Sequence, residues 1–396
     1  GPDWRKKRLE EIFPEEKKGL DEYYRFYHNM VTLYDLQDEL ELKDSIWTKL
    51  RLLLTFLRVR RYAGLSVQQL MERFFQDDRL KMVFTGILAD LCMHPSELSA
   101  LALPSLNIET AFDKRIPSKR GRLNDPQFTY IQGGTETIAR ELGRVISDGG
   151  GSIHTSLEVE KIIIEEGNAV GVRLADGSED MADLVIASGG VKELAYRLIG
   201  VEYLSPEYKQ IVDNVLPMEA VFMVHIGLDI DPLKYQKSEL CYYYLTYDID
   251  ASVDNLRSGI YHGGDEGFLI YVPSAHAPNM APAGRYAVTI YTVAPDVMNV
   301  GNWETKKEEY ADRLLELAER YIPHLREHVT ERLIVAPPDM RRLVHLERNS
   351  FGGLIPAIGR KLPPHVTPVR NLYFIGAQSE SGGGVGPQIR AAHKLA

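Results

Sequence analysis

Near its C-terminus the chain carries an apolar strand, a run of glycines and the beginning of a helix. Leu372–Ile375 is apolar, Gly376 and Ala377 follow it directly, and four glycines lie within Ser381–Gln388. Glycine lets a backbone approach a ligand closely, and Pro387 is tolerated in a first helical turn. The N–H groups and the dipole of a helix N-terminus attract an anion or an electron-rich ring. The pattern predicts a binding site of that kind, with a glycine-rich surface turn as the alternative.

Two earlier segments also combine helices or strands with glycines. Tyr130–Thr135 leads into a predicted helix, Glu136–Asp148, and Gly149–Gly151 end that helix as C-cap glycines do. Alternating and apolar runs after it predict four strands, which are Ser152–Thr155, Val159–Glu165, Ala169–Leu174 and Asp183–Ser188. Gly189 and Gly190 follow the last of these, so a strand that runs directly into glycine occurs a second time in the chain.

The other segments divide into a helical N-terminal region and a β-rich middle. Residues 4–76 and 79–92 have helical spacing, Ser66–Gln69 resembles a capping box, and residues 113–126 form a predicted loop. Four further segments have strand composition, namely Phe222–Asp229, Tyr242–Tyr247, Phe268–Pro273 and Tyr286–Val293. One long charged helix is predicted over Trp303–His328, with an interruption at Pro323.

The charge balance excludes one class of partner. A net charge of −10 argues against a nucleic-acid-binding protein, because phosphate binding needs a basic face. Cys92 and Cys241 are too few for a disulfide framework or a metal site, and a reducing cytoplasm is the expected setting. No apolar run approaches the roughly 20 residues of a membrane-spanning helix.

Three segments carry a resemblance to a known family: the helix and strands that follow Tyr130–Thr135, the strand before Gly189 and Gly190, and the C-terminal strand with its glycines. In this order they resemble the bacterial phytoene desaturases and their relatives, which include carotenoid desaturases, retinol-saturase-like proteins and, more remotely, amine oxidases. The resemblance implies FAD as the cofactor. By position in the family's motifs, Val159 would meet the adenosine, and the strand that ends at Ser188 and Gly189 would close part of the FAD domain. The C-terminal motif would lie along the pyrophosphate, the ribityl chain and the flavin ring, and it comprises Gly376, Ala377, Gln378, Gly383, Gly384, Val385, Gly386 and Gln388.

The sequence departs from this family at one important point. Such enzymes begin with a strand, a Gly-x-Gly-x-x-Gly turn and a helix that hold the pyrophosphate, and this sequence contains no such turn. We therefore expect a fragment, an edited chain or a natural truncation that does not hold FAD tightly. Without that strand, the apolar segments Leu184–Ile186 and Leu372–Phe374 are expected to be exposed edges. An in-frame upstream motif would show that the chain is a fragment.

The resemblance implies an α/β fold, with an incomplete FAD/NAD(P)-binding domain of the glutathione-reductase-like type and a substrate domain of helices and antiparallel sheet. We predict four parts. Residues 1–124 form a helical substrate or lid region, 125–200 a part of the FAD domain, 201–330 the substrate domain with its sheet, and 331–396 the C-terminal part of the FAD domain.

Three functions remain open from the sequence. The leading hypothesis is an FAD-dependent desaturase, saturase or isomerase that moves a hydride to or from flavin on a hydrophobic polyisoprenoid or carotenoid-like substrate. The second is an amine-oxidase-like flavoenzyme acting on a small substrate, and the third is a chain without FAD binding or activity. Because a flavin would itself supply the redox chemistry, no catalytic residue and no metal ligand is predicted. The expected location is cytoplasmic, with or without peripheral contact with a membrane.

Several other features have a structural and a functional interpretation. His262, His276 and His345 are expected to be surface or core histidines, and Asp248, Asp250 and Asp254 solvated loop residues. The run Tyr242–Tyr244 is interpreted as sheet packing, or alternatively as an aromatic wall beside a flavin or a polyene. Arg341 and Arg342 are expected in a charged turn, with phosphate binding as the alternative. The basic, apolar helix at residues 45–61 is expected to pack with a solvated face, or alternatively to lie on a membrane surface.

Overall fold

The computed structural model describes residues 4–90, 92–106, 130–344, 346, 348, 351–355 and 357–396. The predicted loop at 113–126 and His345 lie outside these residues. The chain divides into two compact units. Unit one comprises residues 1–129 and 246–253, and unit two comprises 130–245 and 254–396. The predicted four-part division is finer than this one and stays a prediction.

Unit one is helical, as predicted. Its helices are α1 (Trp4–Ile12), α2 (Lys17–Leu42), α3 (Ile46–Val59), α4 (Val67–Phe74), α5 (Asp78–Asp90) and α6 (Leu103–Leu106). The predicted capping box is present at the start of α4, where Ser66 and Gln69 satisfy each other's backbone N–H groups.

An aromatic cluster holds the helices of unit one together. The rings of Tyr23 and Phe84 lie 4.1 Å apart, and Phe75 and Phe84 stack at 5.3 Å. All three side chains are fully buried. Gly19 permits this packing, because a Cβ there would lie 1.9 Å from the Phe74 carbonyl oxygen. Each buried aromatic ring contributes about 2–3 kcal/mol of hydrophobic free energy.

Helix α3 packs in the opposite sense to an ordinary amphipathic helix. Its buried residues are Thr48, Thr55 and Val59. Large apolar residues on its other side are exposed, and these are Ile46, Trp47, Leu50, Leu53, Leu54, Phe56 and Leu57. The helix thus packs with a solvated face, as expected, but its packed side is mostly small and polar and its solvated side is apolar; the membrane-surface alternative stays a prediction.

Unit two is built on a five-stranded antiparallel sheet of order β6-β7-β8-β5-β9. Its strands are β5 (Ala220–Leu228), β6 (Leu240–Tyr244), β7 (Gly267–Tyr271), β8 (Tyr286–Ala294) and β9 (Val329–Val335). Alternate residues of β5, such as Phe222 and Val224, face a core shared with α10 (Trp303–Glu319). The ring of Phe222 stacks on Trp303 at 5.3 Å. Four of the strands were predicted, whereas β9 was not.

Smaller sheets complete unit two. Strands β1 (Val159–Glu165), β2 (Asn168–Leu174) and β3 (Glu179–Met181) form an antiparallel sheet, and β4 (Val185–Ala187) pairs in parallel with β10 (Leu372–Phe374). Further helices are α7 (Glu136–Asp148), α8 (Pro206–Asp213), α11 (Pro337–Val344) and α12 (Val385–Leu395), and α9 (Ile249–Arg257) spans the boundary between the units. The predicted strand Ser152–Thr155 is wrong, because these residues are exposed and join no ladder.

The expected exposure of apolar edges is correct for β4 and wrong for β10. Leu184 and Ile186 are about half exposed, at 48% and 52%. Leu372 and Phe374 are fully buried instead, because they pack in a core with Ile162, Val369 and other residues. Helix α7 likewise has no buried residue, and its Leu142, Val145 and Ile146 are exposed.

Candidate flavin site

The two parallel strands β4 and β10 end side by side. Phe374 pairs with Ala187, so Ser188–Gly189 and Gly376–Ala377 leave the sheet at the same edge. Gly376 has φ +107° and Gly189 φ +103°, a backbone region that favours glycine. A Cβ on Gly376 would lie 3.6 Å from the Gly189 nitrogen. The two glycines thus keep an open space at the strand ends that side chains would occupy.

Backbone donors at this edge are available to a ligand. No hydrogen bond within the described part of the chain uses the N–H groups of Gly376, Ala377 or Gln378. The chain then reaches Gly384, which has φ +104° and is the N-cap of α12. The first N–H groups of α12, those of Val385 and Gly386, have no intrahelical acceptor. Such donors, together with the helix dipole, suit the pyrophosphate of a dinucleotide.

Two predicted ligand residues hold the loop itself. Gln378 is 9% exposed, and its Oε1 accepts a hydrogen bond of 2.9 Å from the Val191 N–H. Gln388 donates from Nε2 to the Gly382 carbonyl. Both side chains therefore fix the shape of the segment Gly376–Gly384, called the glycine loop below. Any contact of these side chains with a cofactor stays a prediction.

A serine–histidine pair ties the loop to β10. His365 Nδ1 lies 2.8 Å from the Phe374 carbonyl oxygen, and its Nε2 lies 2.7 Å from Ser381 Oγ. The carbonyl oxygen can only accept, so Nδ1 carries the proton and the Ser381 hydroxyl donates to Nε2. The backbone N–H of His365 also donates a 2.8 Å hydrogen bond to Glu380 Oε1. No sequence pattern points to His365, because its partners are backbone groups and distant residues.

A second pair of glycines packs against the loop. A Cβ on Gly353 would lie 2.7 Å from the Ala377 carbonyl oxygen, and one on Gly383 would lie 3.0 Å from that of Gly352. The Gly353 carbonyl accepts a 3.0 Å hydrogen bond from the Met218 N–H. The glycine loop is thereby held close to the start of β5.

Buried charges lie beside that start of β5. Asp296 is 4% exposed, and its Oδ1 lies 2.7 Å from Arg341 Nη1. Glu219 is also buried. Burial raises the pKa of the Glu219 carboxyl, while the positive charge of Arg257 lowers it. Buried carboxyls with a raised pKa often act as proton donors, but neither Glu219 nor Asp296 was identified from the sequence.

The structure supports neither of the two predicted interpretations of Arg341 and Arg342. Both lie on helix α11 and not in a turn. Arg341 is paired with the buried Asp296, and Arg342 with Asp339 at 2.7 Å. Both guanidinium groups already have carboxylate partners, so the phosphate alternative has no support.

The second face of the five-stranded sheet is aromatic and partly apolar. Cross-strand pairing places Tyr242, Leu269, Tyr291 and Met223 in one row on the face opposite α10. The next row contains His225, whose Nδ1 lies 2.9 Å from Thr289 Oγ1. Burial lowers the pKa of His225. Tyr243 packs on the core side against Phe268, which confirms sheet packing for this tyrosine, whereas an aromatic wall beside a flavin or a polyene stays a prediction.

Other single residues have structural roles. Burial lowers the pKa of His262 to about 4, and its Nδ1 accepts a 3.0 Å hydrogen bond from the Gly264 N–H. His276 stacks on Tyr130 at 3.7 Å. Asp250 and Asp254 lie on helix α9 and not in a loop; Asp250 accepts from Ser96.

Val159 lies in a different sheet from the glycines. It opens β1 and pairs with Leu174. The structure thus brings Ser188, Gly189, Gly376 and Ala377 together at one sheet edge. A role for Val159 at the adenosine stays a prediction.

Two kinds of feature are absent from the residues that the structure describes. No three His, Cys, Asp or Glu side chains there lie close enough together to hold a metal ion. Across the same residues, no helix combines the length and the apolar character that crossing a bilayer requires.

Comparison with known proteins identifies the family. The family described as flavin containing amine oxidoreductase matches residues 5–396, and the chain belongs to it. A chloroplastic prolycopene isomerase of Daucus carota is 24% identical over 388 residues, which cover 94% of this chain and 59% of that protein. A lycopene-forming phytoene desaturase of Pseudescherichia vulneris is 23% identical, with 83% and 64% covered. The chain thus spans about three fifths of the length of these relatives.

The solved structures agree on the fold. An oxidoreductase from Methanosarcina mazei superposes with a TM-score of 0.57 at 22% identity, covering 88% of this chain and 73% of that one. The family and this superposition confirm the predicted α/β fold, with an FAD-binding part and a substrate part of helices and antiparallel sheet. They also confirm the resemblance to carotenoid desaturases and FAD as the cofactor of this class of protein.

Proposed function

We propose that this protein is an FAD-dependent oxidoreductase that acts on a hydrophobic polyisoprenoid or carotenoid-like molecule. The observation that carries the proposal is the paired glycine edge of β4 and β10, which leads into the N-terminus of α12 in a flavin-containing family. The names of the relatives, prolycopene isomerase and phytoene desaturase, support the substrate class. Desaturase, saturase and isomerase remain alternatives within this proposal.

The residues of the chain would position the reactants. Gly189 and Gly376 leave room for a ligand at the strand ends, and the N–H groups of Gly376–Gln378 would bind its phosphates. When bound, the flavin supplies a hydride acceptor or donor. The aromatic face of the sheet around Tyr242 and Tyr291 offers an apolar surface suited to a polyene. His365 and Ser381 would hold the glycine loop in one conformation.

The proposal extends to partners and location. The substrate would be a hydrophobic small molecule, and nucleic acid is not a proposed partner because the chain has a net charge of −10. We propose a cytoplasmic protein with peripheral membrane contact, since a polyisoprenoid dissolves in lipid and not in water. The helical region of residues 1–124 is proposed as the substrate or lid region.

The flavin spectrum provides the test. Because the sequence contains no Gly-x-Gly-x-x-Gly turn, FAD is expected to bind weakly, and the purified protein should acquire flavin absorbance on titration with excess FAD. Under anaerobic conditions, a carotenoid in vesicles should then change the flavin spectrum or emerge with altered double bonds, whereas putrescine should do neither. Flavin reduction by the amine alone would favour the amine-oxidase alternative. A protein that stays colourless with excess FAD would contradict the proposal.

A further inference from the structure

Helix α3 presents an apolar surface of a kind that a water-soluble helix buries. Ile46, Leu50, Leu53 and Leu57 recur at intervals of four, three and four residues, so they lie on one face of the helix. Ile46 is 79% exposed. Leu54 and Trp47 widen this face, and Trp47 is 73% exposed. A contiguous group of six exposed apolar side chains on one helix face marks an interaction site.

The packing of α3 against its neighbour fixes which side is exposed. Thr48, Thr55 and Val59 are the buried residues, and they lie roughly opposite the apolar face at 100° per residue. Thr48 Oγ1 donates to Glu39 Oε1 of α2 at 3.3 Å. The side of the helix that carries Thr48 and Thr55 packs within unit one. The apolar side therefore cannot turn inward without breaking these contacts.

Basic residues border the apolar face on both sides. At 100° per residue, Lys49 lies on one flank and Arg51 and Arg58 on the other. Both arginines are exposed. Residues 43–61 contain six Lys and Arg and a single Asp, although the whole chain has a net charge of −10. In a symmetric dimer built on this face the same basic residues would oppose each other, so the local positive charge favours an anionic surface over a second α3.

We propose that α3 is the docking surface of this protein on an anionic lipid bilayer. The helix would lie in the plane of the membrane, with Trp47, Leu50 and Leu54 among the acyl chains and Arg51 and Arg58 at the phosphates. The proposal rests on the membrane contact proposed above and names the surface that makes it. Docking there would give the protein access to a substrate dissolved in lipid.

Vesicle co-sedimentation of the whole chain tests this inference. We expect binding to phosphatidylcholine vesicles that contain phosphatidylserine, and weaker binding to phosphatidylcholine alone. The double variant W47E/L54E should lose about tenfold or more in partitioning, because each charge would enter the acyl region. The variant R51E/R58E should lose about thirtyfold or more on anionic vesicles only, since each of the two arginines contributes about 1 kcal/mol and the new glutamates are repelled.

Two further variants serve as controls. L142E/V145E changes exposed apolar residues of α7, a helix with three acidic and two basic residues, and should leave partitioning unchanged. In a Trp4→Phe background, Trp47→Phe should keep vesicle binding but lose the blue shift of tryptophan fluorescence that accompanies it, because the one remaining tryptophan, Trp303, is already buried. Persistence of that shift would contradict insertion of Trp47.

Other outcomes would overturn the proposal. Equal loss of binding in the α7 control would show general stickiness. A dimer that dissociates in W47E/L54E, without vesicle binding by the parent chain, would show that a second copy covers α3. Vesicle binding is measured without flavin or turnover, so a protein that docks but never reacts would contradict the proposed oxidoreductase while leaving this inference intact.

Discussion

Gly384 occupies a backbone conformation that a larger residue can adopt only with strain. Its φ is +104°, and an added Cβ would meet no atom closer than Pro387 Cδ at 3.6 Å. A side chain at this position is therefore disfavoured by the backbone conformation and not by contacts with other atoms of the chain. This makes Gly384 a suitable position for separating ligand binding from folding.

We expect Gly384→Val to abolish FAD binding while the protein stays folded. The positive φ should cost about 1–2 kcal/mol of stability, and the side chain should block the ligand. Gly177→Val is the matched control, because Gly177 also has positive φ and open space around it but lies in a turn between β2 and β3. Flavin absorbance and thermal unfolding report the two effects. Stoichiometric flavin in Gly384→Val would refute the assigned site.

His262 gives folding stability a defined dependence on pH. Burial lowers its pKa to about 4, below the value of about 6.5 in an unfolded chain. The stabilising contribution is therefore complete above pH 6.5 and is lost as the pH falls through 4. We expect His262→Gln to remove up to about 3 kcal/mol of this pH dependence. Urea unfolding at several pH values measures it, and an unchanged slope in the variant would contradict the assignment.

Among the elements, helix α11 is joined to the end of β8 by a buried ion pair. Arg341 donates to both the side chain and the carbonyl of Asp296. Arg342, the next residue, pairs with Asp339 on the surface and is 73% exposed. The two neighbouring arginines therefore allow a direct comparison of a buried and an exposed pair on one helix.

Removal of the buried partner should destabilise unit two. Arg341→Met leaves the buried Asp296 carboxylate with only Arg348, whose Nε lies 3.7 Å from Asp296 Oδ2, and we expect the free energy of unfolding to fall by up to about 3–5 kcal/mol. Arg342→Met should change it by less than about 1 kcal/mol. Denaturant titration of both variants provides the measurement. Similar small losses would mean that Asp296 finds another partner or is neutral in the folded state.

For the whole molecule, the exposed apolar surface of unit two is a liability. Strand β4 pairs only with β10 among the described residues, its Ile186 is exposed, and α7 exposes Leu142, Val145 and Ile146. An open strand edge with apolar side chains is a template for association with other molecules. Unit two should therefore self-associate unless something covers this surface.

We expect V145K/I186K to raise the monomeric fraction of the chain without loss of structure. Lysine on an exposed edge opposes pairing by repulsion and by hydration. Val300→Lys is the control, because Val300 is an exposed apolar residue, at 77%, that lies outside β4 and α7. Sedimentation velocity measures the monomer, and circular dichroism monitors the fold. An unchanged distribution of species in V145K/I186K would show that these residues do not drive association.

Local sequence patterns were sufficient for most elements. The helix α7 was predicted with its bounds, since apolar spacing defines its length and Gly149 ends it. The strands β5–β8 were predicted because β-branched and aromatic residues dominate them. The junctions at Gly189 and Gly376 were also visible, because a strand followed by glycine is a short-range signal.

What the sequence could not determine depends on partners far along the chain. Strand β9, with Glu331 and Arg332 at its centre, has weak strand composition and exists because it pairs with β5. The pair of Asp296 with Arg341 joins residues 45 positions apart. The apolar pattern of α3 predicted a helix, but only its packing through Thr48 and Thr55 decided that the apolar side faces outward. Spacing along the chain determines which residues share a face, whereas the energetics of packing with distant elements decide which face is buried.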